Sequence, residues 1–90
     1  MSEYIEIETE IDENGRIYIT TNLPLSHEVE AYDSLAAMEE GTPVAQALSV
    51  VDGITHLQID GSELTITPDE DTPVHMIVND VTAVLKDFFL

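Results

Sequence analysis

The strongest constraint on the fold is a pair of alternating segments joined by a short polar loop. Residues 5–11 alternate glutamate with isoleucine or threonine, and residues 17–23 form a second run in which every other residue through 21 is isoleucine or threonine. A period of two is typical of a β-strand with one buried face. The two segments therefore predict a β-hairpin.

The length of the loop decides which side chains share a face of this hairpin. A two-residue turn at Asn14 and Gly15 would pair Ile17 with Asp12 and put isoleucine on the acidic face. A three-residue loop of residues 13–15, with Gly15 in the left-handed bulge position, pairs Ile11 with Ile17 instead. We predict the three-residue loop, because all the isoleucines then share one face.

A second hairpin is predicted from residues 54–59 and 63–67. Asp60 and Gly61 lie between the two segments, and a two-residue turn there would pair Leu57 with Leu64. In that register the opposite face carries His56 beside Thr65.

Two Thr-Pro pairs predict the starts of helices. Thr42 precedes Pro43 and a short apolar segment that ends before Gly53, which indicates a helix to about residue 50. Thr72 precedes Pro73 and a longer segment with apolar residues at three- and four-residue intervals, at Val74, Ile77, Val78, Val81, Val84, Leu85 and Phe88.

The segment between the first hairpin and the first Thr-Pro pair gives a weaker pattern. Residues 26–40 are polar, and apolar or aromatic residues recur every three positions at Val29, Tyr32, Leu35 and Met38. This spacing predicts a short helix or a pair of turns.

These elements predict an α+β fold of order β-β-α-β-β-α, in which two hairpins form a largely antiparallel sheet with helices packed on one face. A chain of 90 residues allows a single domain, residues 1–90. The uncovered face of the sheet is the candidate partner-binding face, and it would carry Glu6, Glu8, Glu10, Tyr18, Thr20, His56 and Thr65.

The charge of the chain limits its partners. Nineteen acidic residues face only two basic ones, for a formal net charge of −17. Phosphate binding needs cations, so we expect neither nucleic acid nor an anionic membrane as a partner. The chain has no apolar run near the roughly 20 residues of a membrane span, and its acidic start does not resemble a signal peptide. We therefore expect a cytoplasmic protein.

No motif in the sequence predicts catalysis or a cofactor. The chain has no cysteine, which excludes disulfides and thiolate metal ligands from its own residues. His27, His56 and His75 fall in different elements, so a zinc site would need the fold to bring them together. The acidic run at residues 69–71 lacks the glycine and the bidentate acid of a calcium loop. We expect a non-enzymatic protein with no cofactor and no metal of its own.

The excess of acid leaves two hypotheses open. Adaptation to a high-salt cytoplasm would screen the repulsion between carboxylates and predicts a stability that rises with salt. Alternatively, the protein is an acidic DNA mimic that occupies the basic groove of a nucleic-acid-binding protein.

Residues 42–48, 51–54 and 60–67, together with the terminal helix, resemble the N-terminal domain of Nfu/NifU-type iron–sulfur cluster scaffold proteins. The resemblance implies a stand-alone version of that domain without the Cys-x-x-Cys domain that holds the cluster. It also implies an accessory or interaction role in iron–sulfur cluster assembly, with a protein of that machinery as the partner. No cluster ligand is carried over to this chain.

Overall fold

The computed structural model describes residues 6–89, which form one antiparallel sheet and three helices. The sheet has five strands in the order β1-β2-β5-β4-β3, and every neighbouring pair is antiparallel. Along the chain the elements are β1 (Ile7–Ile11), β2 (Ile17–Thr21), β3 (Glu30–Tyr32), α1 (Leu35–Glu39), α2 (Pro43–Leu48), β4 (Ile54–Asp60), β5 (Glu63–Pro68) and α3 (Val74–Phe88).

The α+β class, the antiparallel sheet and both hairpins agree with the prediction, but the element order does not. The observed order is β-β-β-α-α-β-β-α, because residues 26–40 contribute a strand and a helix. β3 pairs Glu30 with Ile59 and Tyr32 with Leu57. Of the apolar residues spaced by three in this segment, Met38 is buried, whereas Val29 is 62% exposed. The spacing therefore does not reflect one helix face.

The register of the first hairpin is as predicted. Ile11 pairs with Ile17, and Ile7 pairs with Thr21. Gly15 has a φ of +84°, the left-handed conformation that the three-residue loop requires. Ile5, which the sequence assigns to this strand, lies outside the described residues.

The predicted register of the second hairpin is wrong by two residues. Leu57 pairs with Ile66, and Asp60 pairs with Glu63, so that the turn is formed by Gly61 and Ser62. Gly61 has a φ of +62°, and no other residue type among residues 6–89 has a positive φ. A glycine first in a two-residue turn is the type II′ pattern, whereas a type I′ turn at Asp60 would have forced an aspartate into the left-handed region. His56 consequently pairs with Thr67, and Thr65 pairs with Gln58.

The helices cover one face of the sheet. The inward side chains of β2, β4 and β5 form a single buried cluster with those of the helices. α3 contributes Ile77, Val81 and Leu85, and α2 contributes Val44, Ala45 and Leu48. Phe88, the last residue of the predicted apolar stripe, is 40% exposed.

The Thr-Pro pairs mark the helix starts without a side-chain cap. Pro43 is in the first turn of α2 and Pro73 immediately precedes α3, but neither Thr42 nor Thr72 caps its helix with a side-chain hydrogen bond. Thr72 instead packs against Gly53, which has a φ of +96°. Lys86 lies in the last turn of α3, where a cation interacts favourably with the helix dipole.

Candidate functional site

No helix or strand of residues 6–89 covers the face of the sheet opposite the helices. We call it the open face, and its side chains are exposed or half-buried. It is formed by Glu8, Glu10, Tyr18, Thr20, Ala31, His56, Gln58, Asp60, Glu63, Thr65 and Thr67.

Strand register arranges the acids of this face in a row across four strands. Glu8 pairs with Thr20, Thr20 pairs with Glu63, and Glu63 pairs with Asp60. With strands about 4.8 Å apart, this acidic row of Glu8, Thr20, Glu63 and Asp60 spans about 14 Å. It places three carboxylates at one end of the open face.

A less charged row runs beside the acidic row. Glu10 pairs with Tyr18, Tyr18 with Thr65, and Thr65 with Gln58. Tyr18 is 37% exposed at the centre of this row. An amphipathic aromatic side chain among small polar ones is a composition found at the centres of protein–protein interfaces.

The structure brings the candidate residues of the sequence analysis onto or beside one surface. Glu8, Glu10, Tyr18, Thr20, His56 and Thr65 all lie on the open face. Glu6 is exposed just before β1, where its amide donates to Asn22 Oδ1 at 2.8 Å. The sequence analysis missed Asp60 because it placed this residue in the hairpin turn. It missed Glu63 because it did not predict the pairing of β2 with β5 that brings Glu63 beside Thr20. The parity of β4 and β5 was the signal that could have found them.

Asp12 fixes the orientation of Tyr18. Asp12 Oδ1 accepts the amides of Asn14 and Arg16, each at 2.9 Å, and Asp12 Oδ2 accepts the Tyr18 hydroxyl at 3.0 Å. Desolvation is the largest single influence on the pKa of Asp12 and would raise it. The hydrogen bonds from Arg16, Tyr18 and Asn14, together with the Arg16 charge, outweigh desolvation and lower this pKa. Asp12 thus accepts its hydrogen bond from Arg16 through the arginine backbone.

The far end of the open face is different in charge. A concavity of about 510 Å³ lies there, lined by Arg16, Ala31, His56, Gln58, Thr65 and Thr67 among others. Arg16 makes no ion pair within 4.0 Å among the residues that the structure describes. This end of the open face therefore carries an arginine and a histidine beside one acid, Asp33, whereas the acidic row carries three carboxylates and no basic side chain.

A second polar cluster lies at the β3 edge. Glu30 points to the helix side of the sheet, and its carboxylate accepts hydrogen bonds from the Ser26 and Tyr32 hydroxyls. The Tyr32 hydroxyl also accepts the Thr42 amide at 3.4 Å. The cluster ties β3 to the loop before it and to the start of α2.

Burial is the largest single influence on the pKa of Glu30 and would raise it. The hydrogen bonds from Ser26 and Tyr32, with the nearby Thr42 hydroxyl, together outweigh burial and lower this pKa below its ordinary value. The Thr42 hydroxyl oxygen is buried and forms no hydrogen bond within residues 6–89. Glu30 is held as an anion, whereas a general acid at neutral pH needs a raised pKa. The arrangement suits a structural role, in which Glu30 and Tyr32 connect β3 to the preceding loop and to the start of α2.

Within the described ranges, no three histidine or acidic side chains come together as a metal site. No helix among residues 6–89 is long and apolar enough to cross a membrane. The chain matches no model of a known protein family, and no curated protein is detectably similar to it in sequence.

Proposed function

We propose that this protein is a non-enzymatic interaction module that binds a basic surface of a partner protein through its open face. The observation that supports the proposal is the acidic row beside exposed Tyr18, on a sheet face that no helix covers. Complementary charge increases the rate of association and excludes wrong partners, while a central aromatic side chain contributes contact area.

The acidity of the open face also indicates the chemistry of the partner surface. Three of the four members of the acidic row are carboxylates, and Glu10 adds a fourth beside them. A partner that presents lysine or arginine would pair with them, whereas phosphate groups would be repelled. We place the partner in the iron–sulfur cluster assembly machinery, and this part of the proposal rests only on the resemblance of residues 42–48, 51–54 and 60–67 and the terminal helix.

The experiment compares two variants with equal changes of charge. The acidic-row variant carries Glu8→Gln, Asp60→Asn and Glu63→Gln. The helix-side variant carries Glu39→Gln, Asp80→Asn and Asp87→Asn, which are exposed positions on α1 and α3. Both variants are three units less negative than the wild type.

Binding to a purified iron–sulfur cluster scaffold protein is measured by biolayer interferometry at a fixed salt concentration. We expect the acidic-row variant to weaken binding at least tenfold and the helix-side variant to change it less than threefold. Equal losses in both variants would refute the open face as the binding surface. Absence of binding by the wild type would remove the iron–sulfur assembly partner from the proposal.

The alternative role, a DNA mimic, has less support from the distribution of charge. Exposed acids lie on the helix side as well as on the open face, for example at Glu39, Asp80 and Asp87. A mimic of the phosphate backbone needs its carboxylates in one array. Salt-sensitive capture of a purified nucleic-acid-binding protein, competed away by duplex DNA, would favour the mimic over the assembly module.

A further inference from the structure

The edge of the sheet at β1 has backbone groups that no strand among residues 6–89 pairs with. β1 is the first strand of the sheet, and β2 is its one neighbour among the described residues. The Asp12 amide donates to the Arg16 carbonyl at 3.0 Å, and the Asn22 amide donates to the Glu6 carbonyl at 3.3 Å. These bonds show that the backbone amides and carbonyls of the even-numbered residues of β1 point towards β2.

Hydrogen-bonded and non-hydrogen-bonded pairs alternate along an antiparallel ladder. The odd-numbered residues of β1, Ile7, Thr9 and Ile11, therefore direct their amides and carbonyls away from β2. Such a row is a template for another strand, and many proteins blunt it with a bulge, a proline or a covering loop. β1 has a regular register with β2 over all five of its residues and contains no proline.

The two sides of β1 differ in chemistry, and both are accessible. Glu8 and Glu10 are exposed on the open face. On the other side, Thr9 is exposed and Ile11 is 53% exposed, whereas Ile7 is half-buried against the core. A strand added at this edge would meet carboxylates on one side and apolar surface on the other.

We propose that β1 binds an extended segment of the partner by strand addition, and that this segment alternates basic with apolar residues. The proposal rests on the proposed function, whose open face it extends by one strand. Basic side chains of the segment would lie beside Glu8 and Glu10, and its apolar side chains would cover Ile11. Main-chain hydrogen bonds supply affinity in this mode of recognition, and the alternating side chains supply specificity.

Charge disfavours a second copy of this chain as the occupant. If two β1 strands paired, glutamates would face glutamates across the new ladder, and like charges directly opposite are destabilising. Each copy also carries a net charge of −17. The opposite edge is a poorer template, because β3 has three residues against five in β1.

The first test uses synthetic peptides of nine residues with blocked ends and a fluorescent label. One peptide alternates lysine with valine. A second has the same composition with its lysines and valines in two blocks, and a third carries N-methyl groups on alternate amides of the first. We expect fluorescence anisotropy to show that the alternating peptide binds the full chain at least tenfold more tightly than either control. Equal binding of all three peptides would overturn strand addition in favour of charge attraction alone.

The second test changes the protein. Thr9→Pro removes an outward amide without breaking a β1–β2 hydrogen bond, and proline is tolerated at a sheet edge. We expect Thr9→Pro to weaken binding of the alternating peptide at least tenfold and Thr9→Ala, its control, less than threefold. Unchanged binding by a folded Thr9→Pro protein would overturn the proposal. If that variant does not fold, comparing the N-methylated peptide with the unmodified alternating peptide on the wild-type protein tests the same point.

The two proposals fail in different ways. Assembly proteins that bind through the acidic row while the alternating peptide does not bind would refute strand addition and keep the proposed function. Peptide binding without any binding of assembly proteins would keep strand addition and refute that partner. A concentration-dependent dimer that Thr9→Pro abolishes, seen by sedimentation, would assign the edge to a second copy and overturn the proposed occupant.

Discussion

Ile11 lies directly opposite Ile17 across the first hairpin, yet Ile11 is 53% exposed whereas Ile17 is completely buried. The two side chains are on the same side of the sheet, because paired residues of an antiparallel ladder point to the same face. The difference arises from the buried cluster, which includes residues of β2, β4 and β5 but of β1 contacts only the half-buried Ile7. β1 is therefore stabilised more by its backbone hydrogen bonds to β2 than by burial of its own side chains.

This difference predicts unequal costs for the same substitution at the two positions. Ile17→Ala removes buried methyl groups and leaves a cavity, so we expect a loss of about 2–5 kcal/mol in the free energy of unfolding. Ile11→Ala, the matched control, should cost less than about 1 kcal/mol because its side chain is mostly in water. Urea denaturation followed by circular dichroism measures both values. Equal losses would contradict the view that the helices leave β1 uncovered.

The hydrogen bonds to Glu30 predict a pH-dependent contribution to stability. The lowered pKa means that the carboxylate stabilises the fold above its ordinary pKa of 4.5, and that this stabilisation is lost as the pH falls through the folded-state pKa. We expect Glu30→Gln to cost about 1 kcal/mol at pH 7, less than is usual for hydrogen bonds to a charged group, because solvent screens a half-buried carboxylate. The difference from wild type should shrink below about pH 4.

Urea denaturation of wild type and Glu30→Gln at pH 7, 5, 4 and 3 measures this dependence. Glu28→Gln is the control, since Glu28 is exposed two residues before Glu30 and carries the same charge. Taking differences from wild type removes the general effect of protonating the other carboxylates. A cost of Glu30→Gln that stays constant from pH 7 to 3 would argue against a stabilising ionised Glu30.

The close approach of Gly53 to Thr72 predicts a steric effect beyond backbone strain. A Cβ at Gly53 would lie 2.7 Å from Thr72 Cγ2, whereas a Cβ at Gly15 would meet no atom within 4 Å. Both glycines have positive φ, which costs a side-chain-bearing residue about 1–2 kcal/mol. Gly53→Ala should lose a further 1–3 kcal/mol or so through overpacking. Thermal and urea denaturation of the two alanine variants test this, and equal losses would exclude the contact with Thr72 as a cause.

The sequence was sufficient for the first hairpin and not for the second, for a physical reason. In the first, the two possible loops differ by one residue, and the wrong one moves isoleucine onto the acidic face. In the second, turns at Asp60–Gly61 and Gly61–Ser62 differ in pairing by two residues. Both keep Leu57, Leu64 and Ile66 on the buried face, so the hydrophobic pattern does not discriminate between them. The turn chemistry does not discriminate either, because Asp-Gly is a favoured type I′ pair, Gly-Ser is a favoured type II′ pair, and Gly61 has a positive φ in both.

The local sequence pattern of residues 26–40 did not predict β3. Its three residues gain stability by pairing with residues 57–59, which are distant along the chain, and by the hydrogen bonds of Glu30 with Ser26 and Tyr32. Part of the open face was predictable, because alternation alone places Glu8, Glu10 and Tyr18 on one side of the first hairpin. The extension of this face across the sheet was not predictable, since it depends on β2 pairing with β5.

The net charge of −17 predicts a stability that increases with salt. Folding brings the carboxylates closer together than in the unfolded chain, and their repulsion opposes the compact state. Raising KCl from 0.1 to 1 M shortens the Debye length from about 10 Å to about 3 Å and screens that repulsion. We expect the melting temperature to rise steeply over this range.

The helix-side variant is three units less negative, so its melting temperature should be higher than that of the wild type in low salt and should rise less with added salt. Chloride is the appropriate anion, because sulfate and phosphate stabilise proteins by a separate exclusion effect. A melting temperature that is flat between 0.1 and 1 M KCl would contradict repulsion as the dominant effect of the acids, and the same slope in both proteins would show that the salt acts by another route.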